Sequence, residues 1–292
     1  MVITKIQGGL GNQMFQYAFG RMLAKRNNTE LKLDTTMFPT YKYHLYTMDN
    51  LHITAPVATE EEIAPFLQKR PRKGRRNFLY NALFADPKKY VEEPSFYFTP
   101  EMLELKEPCY VDGYWQSEKY FIEIEDIIRK EFSLHKPLNS YSLDIAEKIR
   151  ASEHPVSLHV RRGDFAHVSQ SIATHGTVSI SYYEEALRVM KERVVQPAYF
   201  VFSDEPEWAR ENIKTDFPTE YIGQGPEVNY FDLELMKMCR HHILANSTFG
   251  WWGAWLSDSY RTGVTISPKR WNVKESLDTK DLLPEHWIKL SK

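Results

Sequence analysis

The sequence predicts an α/β protein with parallel sheets in two domains, and three observations support this prediction. Its 292 residues are long for one core, and the 42% hydrophobic content is enough to build two. Strand-like and helix-like segments alternate through the second half, which is typical of a doubly wound parallel sheet. The chain also opens with a short β-branched segment that leads through glycines into a helical pattern.

The first half begins with a strand, a glycine-rich loop and a helix. Its predicted elements are strand 2–6, loop 8–13, helix 14–26, strand 30–34, strand 109–114, helix 118–132 and helix 141–150. Prolines and aromatic residues blur the pattern between residues 37 and 110. We therefore predict a first α/β domain over residues 1–150.

The second half alternates strands and helices regularly. Its predicted strands are 156–160, 199–202, 220–222, 242–245 and 264–267, and its predicted helices are 182–194, 205–213, 231–238 and 250–258. This alternation predicts a parallel sheet in a second domain over residues 151–292. We expect the C-terminal segment, about 20 residues, to pack back on the first domain.

Composition argues against several classes of partner. The 37 Lys and Arg residues against 39 Asp and Glu residues leave a formal net charge of -2, so no global field favours nucleic acid or an anionic membrane. No run of about 18 apolar residues is present, so we expect no stable membrane insertion. We expect a cytoplasmic protein, with peripheral association at the inner membrane face as the alternative.

The sequence contains no metal-binding motif. Cys109 and Cys239 lack the paired spacing of a zinc site. His241 and His242 are adjacent, so in a strand their rings point to opposite faces and cannot share one ion. We expect two buried thiols, no metal ion and no cofactor.

Polar side chains follow three predicted strands of the second domain, where the ligands of parallel sheets bind. These residues are Arg161, Arg162, Ser203, Asp204, Ser247 and Thr248. Arginine suits a diphosphate because its planar fork donates two parallel hydrogen bonds. Serine and threonine at a helix start donate to a phosphate whose charge the helix dipole favours. The set predicts a phosphate clamp.

Asp204 adds a prediction about the base of the nucleotide. A carboxylate can accept hydrogen bonds from the adjacent ring and exocyclic N–H groups of guanine, which uracil does not present, so we expect GDP. Structural interpretations stay open beside this one. Arg161 to Asp164 fit an ion-paired surface turn, Ser247 and Thr248 fit a helix N-cap, and Asp204 fits a charged first helical turn.

The glycine-rich loop of the first domain allows two interpretations. QGGLGNQ after a strand, with Asp34 about 20 residues on, imitates the fingerprint of an NAD-dependent oxidoreductase, although Met14 stands where the third glycine belongs. Alternatively, Asn12 and Gln13 offer amides to a sugar or phosphate across an interdomain cleft, while glycines such as Gly9 and Gly11 let the backbone come close.

Four segments, in chain order, resemble the bacterial α-1,2-fucosyltransferases of glycosyltransferase family 11: GGLGNQMFQYAFGRMLA, HVRRGDF, VFSDEPEW and ANSTFGWWGAWLS. They are spread over nearly the whole chain. The resemblance implies a GT-B-like architecture, with two Rossmann-like domains whose parallel sheets face an interdomain cleft. It implies that residues 1–150 form the acceptor-side domain and residues 151–292 the GDP-fucose-binding domain. It also implies transfer of fucose from GDP-fucose to the 2-hydroxyl of a terminal galactose, with inversion and without a metal ion.

The resemblance assigns roles to residues of the clamp. Arg161 matches the first arginine of the motif and is expected to bind the β-phosphate. Ser247, Thr248 and the helix start at Phe249 are expected on the other side. His159 lies on the same strand face as Arg161, where it either approaches the nucleotide or is a satisfied buried histidine.

The general base and the acceptor stay open. Asp164 is the carboxylate nearest the clamp in sequence, and His175 and His167 are rivals because histidine titrates near neutral pH. Arg162 points away from Arg161 on a strand, which favours a structural ion pair. A fucosyltransferase of other linkage or acceptor and a non-catalytic GDP-sugar or glycan binder are the alternatives, and the oligomeric state is not predicted.

Overall fold

The computed structural model describes residues 1–40, 44–71, 86, 88–163, 176–225, 228–272 and 278–291. The chain divides into two compact units, Met1–Phe132 with Lys280–Leu282 and Ser133–Thr279 with Leu283–Lys292. Each unit is built on a parallel sheet, so the predicted α/β class with parallel sheets is confirmed.

The division falls at Phe132, earlier than the predicted boundary at residue 150. The reason is the helix that precedes the first strand of the second unit. Its Ile145, Ala146 and Ile149 are buried in one cluster with Phe200 and Phe202 of that unit's sheet. Burial of these apolar side chains ties the helix to the second unit.

The first unit contains a four-stranded sheet of order β2-β1-β4-β3. Its strands are β1 (Val2–Lys5), β2 (Leu31–Asp34), β3 (Tyr90–Glu92) and β4 (Cys109–Asp112). Its α-helices in the described residues are α1 (Leu10–Arg26), α2 (Glu60–Leu67) and α3 (Glu125–Glu131). The region predicted as one helix over 118–132 consists of two 3₁₀ turns followed by α3, and the sequence did not predict the three-residue strand β3.

The second unit contains a six-stranded sheet of order β10-β9-β8-β5-β6-β7. Its strands are β5 (Pro155–Val160), β6 (Ala198–Ser203), β7 (Thr219–Ile222), β8 (His241–Ile243), β9 (Thr265–Pro268) and β10 (Ile288–Leu290). Its described α-helices are α4 (Ser140–Ala151), α5 (Ile180–Arg193), α6 (Pro206–Asn212), α7 (Asn229–Met238) and α8 (Thr248–Trp255).

The C-terminal segment differs from the expectation. Only Lys280–Leu282 belong to the first unit, whereas β10 pairs in parallel with β9 of the second unit. Ser117 Oγ donates to the backbone carbonyl of Asp281 at 2.8 Å, and Lys119 forms an ion pair with the Asp281 carboxylate. Polar contacts of Asp281 therefore hold this short segment, while main-chain pairing keeps β10 in the second sheet.

Three of the eight α-helices in the described residues begin with a side-chain cap. Thr59 and Glu62 form a reciprocal capping box at α2, Asn139 accepts from the N–H of Ser142 at α4, and Ser179 accepts from Tyr182 at α5. These bonds satisfy N–H groups that a helix leaves without intrahelical partners. In the part of the chain that the structure describes, no helix has both the length and the apolar character needed to span a bilayer.

Candidate functional site

The carboxyl ends of β5, β6 and β8 place the predicted clamp residues at one edge of the second sheet. Val160 lies beside Ser203 in the β5–β6 register, and Leu158 lies beside Ile243 in the β5–β8 register. The residues that follow these parallel strands therefore leave the sheet at the same edge. This edge is the candidate functional site.

Arg161 and Asp204 form an ion pair across the two central strands of this edge. Arg161 Nη1 lies 2.8 Å from Asp204 Oδ2, and the backbone N–H of Arg162 donates to Asp204 Oδ1 at 3.0 Å. A Cβ at Gly163 would lie 2.5 Å from Asp204 Oδ2, so only glycine permits this approach. Each oxygen of Asp204 thus takes part in one of these contacts, and a carboxylate oxygen can accept a second hydrogen bond.

Two opposing effects act on the pKa of Asp204. Burial raises the pKa of this carboxyl, whereas Arg161 and the N–H of Arg162 oppose that rise. Ser203 Oγ accepts from the backbone N–H of Glu205 at 3.0 Å, which leaves its hydroxyl proton to donate. Ser203 closes the turn that leads from β6 into α6.

Arg162 forms an ion pair, as expected, although β5 ends at Val160 and both arginines follow the strand. Its Nε lies 3.0 Å from Glu205 Oε2, and its guanidinium carbon lies 4.0 Å from the centre of the Trp208 ring. An ion pair and a cation–π contact fix this side chain against α6. Arg162 is therefore an architectural residue of the site.

The start of α8 has no side-chain cap, as is also the case at α1, α3, α6 and α7. Ser247 is the N-cap residue in extended conformation, and its side chain makes no capping hydrogen bond. The predicted phosphate role of Ser247 stays a prediction. Ser247 is 9% exposed, Thr248 and Phe249 are partly buried, and α8 offers its first N–H groups at the same edge as Arg161.

His159 packs directly under the start of α8. Its ring lies 5.7 Å from the Phe249 ring, and a Cβ at Gly250 would lie 2.6 Å from His159 Nδ1. Burial and, to a smaller extent, the charge of Arg161 lower the pKa of His159 to about 3. The imidazole is therefore neutral at physiological pH, and its Nδ1 has no hydrogen-bond partner among the described residues.

Asp164, His175 and His167 lie outside the described residues. The choice between a carboxylate and a histidine as general base therefore stays a prediction from the sequence.

Asp232 is a second buried carboxylate that sequence reasoning did not assign to the site. It lies in the first turn of α7 with 8% exposure, and Gln224, which follows β7, donates to its Oδ1 at 3.1 Å. Burial raises the pKa of Asp232 to about 6, against the opposing hydrogen bonds from Gln224. An aspartate in a first helical turn matches the helix dipole, so its type and position alone carried no functional signal.

The glycine loop of the first unit is mostly helical. Helix α1 begins at Leu10, earlier than the predicted start at residue 14, because Gly9 is its N-cap and the N–H groups of Asn12 and Gln13 donate to the Gly9 carbonyl. Gln13 is fully buried, and its Nε2 donates to the carbonyls of Gly8 and Leu45 at 2.9 and 2.8 Å. The predicted ligand role of Gln13 is therefore not supported.

The other three members of that loop set follow β1 at the carboxyl edge of the first sheet. Asn12 Oδ1 accepts from Gln116 Nε2 at 3.0 Å, which joins the residues after β1 to those after β4. Gly11 is buried in the first turn of α1, and Gly9 is partly buried beside His44.

Asp34 has no freedom to bind a ribose. Its Oδ2 accepts from the Tyr110 hydroxyl at 2.6 Å, and its Oδ1 accepts from the N–H and hydroxyl of Thr36 at 2.9 and 2.6 Å. The carboxylate closes the end of β2 instead. Asp34 is thus not available as the ribose-binding carboxylate that the oxidoreductase alternative requires.

Among the described residues, no cluster of three or more His, Cys, Asp or Glu side chains has a geometry that would hold a metal ion. The two cysteines are buried and free, as predicted.

Solved structures with the same fold are fucosyltransferases. The match to a NodZ α-1,6-fucosyltransferase soaked with GDP-fucose has a TM-score of 0.50 at 13% identity and covers 88% of this chain and 92% of that one. The match to an Arabidopsis thaliana FUT1 variant in complex with GDP has a TM-score of 0.51 at 13% identity, with coverage of 92% and 70%. The chain therefore shares the fold of these two proteins, with each of its two units built on a parallel sheet.

The full-length sequence match then gives the family. The model of glycosyl transferase family 11 matches residues 1–291, and the chain belongs to this family. An α-1,2-colitosyltransferase of Escherichia coli is 32% identical, with coverage of 100% of this chain and 99% of that protein. Human galactoside α-(1,2)-fucosyltransferase 1 is 27% identical, with coverage of 95% and 70%. The predicted family is confirmed, and the oxidoreductase alternative is wrong.

We predict that Arg162→Ala lowers the free energy of unfolding by about 1–2 kcal/mol, because it removes a partly buried ion pair and a cation–π contact. Chemical denaturation measures the change. Arg210→Ala is the matched control, since Arg210 lies 4.7 Å over the Tyr221 ring but is exposed. Equal losses in the two variants would contradict the architectural role of Arg162.

Proposed function

We propose that the protein transfers fucose from GDP-fucose to the 2-hydroxyl of a terminal galactose, with inversion and without a metal ion. The observation that carries this proposal is Arg161 at the carboxyl end of β5, beside the start of α8, in a chain of glycosyltransferase family 11. Arginine and a helix start are the two parts of a metal-free anion site.

The chemistry explains why fixed donors belong here. As the bond between the fucose C1 and the diphosphate breaks, negative charge accumulates on the leaving oxygens. Donors held in place before the reaction stabilise that charge most where it develops. A guanidinium carries five N–H donors, so Arg161 can hold Asp204 and a phosphate at the same time. Ser247 and the first N–H groups of α8 face the same charge.

The proton of the attacking hydroxyl needs an acceptor as the new C1–O bond forms. Asp164 remains our proposal for this base, with His175 as the rival, because both follow the Arg161 segment directly in the sequence. Inversion follows from a single displacement, in which the acceptor oxygen attacks the face opposite to the diphosphate.

We predict that Arg161→Ala weakens GDP binding by on the order of 10- to 100-fold, because a charge-assisted hydrogen bond to phosphate is lost. Transfer should fall further than binding, since the charge develops in the transition state. Calorimetry measures the first effect and turnover the second. Arg150→Ala, at an exposed arginine of the same unit, is the control for lost charge. Thermal unfolding is followed in parallel, because Asp204 loses its partner. Retained turnover would refute this assignment.

Base recognition has two candidate carboxylates, Asp204 and Asp232, and we propose Asp232 for the contact with guanine. Asp204 is engaged by Arg161 and the Arg162 backbone, whereas the partner of Asp232 is a neutral amide. We predict that wild type prefers GDP to inosine diphosphate, which lacks the 2-amino group, and that Asp232→Asn abolishes this preference. Asp204→Asn should keep it. The reverse pattern in the two dissociation-constant ratios would return the guanine role to Asp204.

GDP-colitose is a second donor to compare with GDP-fucose, because the colitosyltransferase relative matches this chain over its full length. Colitose differs from fucose by lacking the 3-hydroxyl. A site that donates to or accepts from that hydroxyl rejects the deoxy sugar strongly, whereas a site that ignores it accepts both.

We expect fucosylated product when the protein is incubated with GDP-fucose and lactose, with equal rates in the presence and absence of EDTA. GDP-colitose in place of GDP-fucose tests the second donor, and UDP-galactose is the negative control. Mass spectrometry detects the product, and nuclear magnetic resonance gives its linkage. No fucosylated product with any galactose-terminated acceptor would refute the function, and loss of turnover with EDTA would refute only the metal-free mechanism.

A further inference from the structure

The carboxyl edge of the first sheet differs in chemistry from that of the second. Asn12 follows β1, Glu93 follows β3, and Tyr114 and Gln116 follow β4. Lys5, at the end of β1, is paired with Asp112 at 3.0 Å. Amide, phenol and carboxylate groups therefore dominate this edge, which suits a neutral polyhydroxyl ligand better than a phosphate.

Glu93 holds the turn after β4 through two main-chain contacts. Its Oε2 accepts from the N–H of Tyr114 at 2.7 Å, and its Oε1 accepts from the N–H of Trp115 at 3.0 Å. A Cβ at Gly113 would overlap Glu93, so glycine is required for this approach. Neither the proposed transfer nor the fold alone explains a carboxylate with both oxygens on one turn.

The turn is a strained element that is locked on both sides. Trp115 has a φ of 56°, a left-handed conformation that is unfavourable for a bulky residue, and its buried ring stacks on Phe19 at 4.0 Å. One residue later, Gln116 donates to Asn12. On the other side of Trp115, the half-buried Tyr114 ring lies nearly parallel to Phe96 at 6.1 Å. Strain of this kind persists only where surrounding contacts determine it.

We propose that Glu93 is a positioning residue for the acceptor: its carboxylate fixes the turn from Gly113 to Gln116 so that Tyr114 and Gln116 present an aromatic face and an amide to the terminal galactose. This inference rests on the proposed fucosyl transfer and adds to it the part of the first unit that contacts the acceptor sugar. Ligands of parallel sheets bind outside the carboxyl ends of the strands, which is where this turn lies.

Ionisation of Glu93 should control the turn. Burial raises the pKa of this carboxyl to about 7, against the two backbone N–H bonds, and the charge of Asp112 adds a smaller rise. Asp112 itself is bonded to Lys5 and to the Tyr90 hydroxyl, and Tyr120 is the other titratable group that senses Glu93. A protonated carboxyl accepts N–H bonds more weakly than a carboxylate.

The direction of the pH dependence distinguishes a role of Glu93 in acceptor binding from a role in folding stability. Because the folded pKa is raised above the unfolded value, the contribution of Glu93 to folding stability is greatest at low pH and is lost as the pH rises through 7. Acceptor binding should move the other way, strong above pH 7 and weaker below it. A purely structural role cannot produce opposite trends in these two quantities.

The test compares wild type, Glu93→Gln and Glu93→Ala in transfer from GDP-fucose to lactose. We expect the KM for lactose to rise about tenfold or more in Glu93→Ala and by less in Glu93→Gln, with the dissociation constant for GDP unchanged. In wild type, KM for lactose should rise as the pH falls through about 7, and Glu93→Gln should remove this step. Glu92→Gln is the matched control, since Glu92 points to the other face of β3 and pairs with Arg70 at 3.3 Å.

An unchanged KM for lactose in both variants, or a wild-type KM that is flat across this pH range, would overturn the proposal. So would a loss of GDP affinity equal to the loss of lactose affinity, because that result means general disruption of the fold. If Glu93→Ala does not fold, the comparison of wild type with Glu93→Gln decides, because only a pH step that this substitution removes belongs to Glu93. Absence of fucosylated product from wild type with every galactose-terminated acceptor refutes the proposed function itself, which is a different outcome from active wild type with an insensitive KM.

Discussion

The ion pair between Arg161 and Asp204 organises the site of the second unit. The two residues follow strands that are direct neighbours in parallel register, so the sheet itself sets their 2.8 Å separation. Asp204 also receives the N–H of Arg162, which fixes the backbone at the point where the strand ends. A guanidinium held in this way needs little reorganisation when a phosphate arrives, and that preorganisation makes electrostatic stabilisation effective.

The arrangement also separates the two arginines by function. The two arginines leave the end of β5 toward different partners: Arg161 pairs with Asp204, whereas Arg162 pairs with Glu205 and lies over the Trp208 ring. Arg162 thus stabilises the turn, while Arg161 lies at the proposed ligand edge. Adjacent residues of the same type have different roles here because their tertiary partners differ.

The sequence predicted what depends on local pattern and position. Alternation of strands and helices gave the parallel sheets, and strand-end position brought Arg161, Asp204 and Ser247 to one edge. What the sequence could not show depends on tertiary partners. The sequence suggested that Gln13 and Asp34 could bind a ligand. In the structure Gln13 donates to the carbonyl of Leu45, and Asp34 accepts from the hydroxyl of Tyr110, both distant in sequence. In the sequence, Asp232 is typical of a first helical turn, and Glu93 belongs to no motif. Both residues stand out only in the structure, where burial raises their pKa values.

The site of the second unit has a charge that does not depend on histidine ionisation. Burial keeps His159 neutral down to a pH of about 3, so it neither repels Arg161 nor supplies a titrating proton near neutrality. Arginine itself stays protonated throughout the physiological range. The diphosphate site should therefore keep its charge between about pH 5 and 8. A dependence of transfer on pH near 7 is then expected from the base, from Asp232, whose pKa burial raises to about 6, or from the carboxyl edge of the first sheet, where burial raises the pKa of Glu93 to about 7.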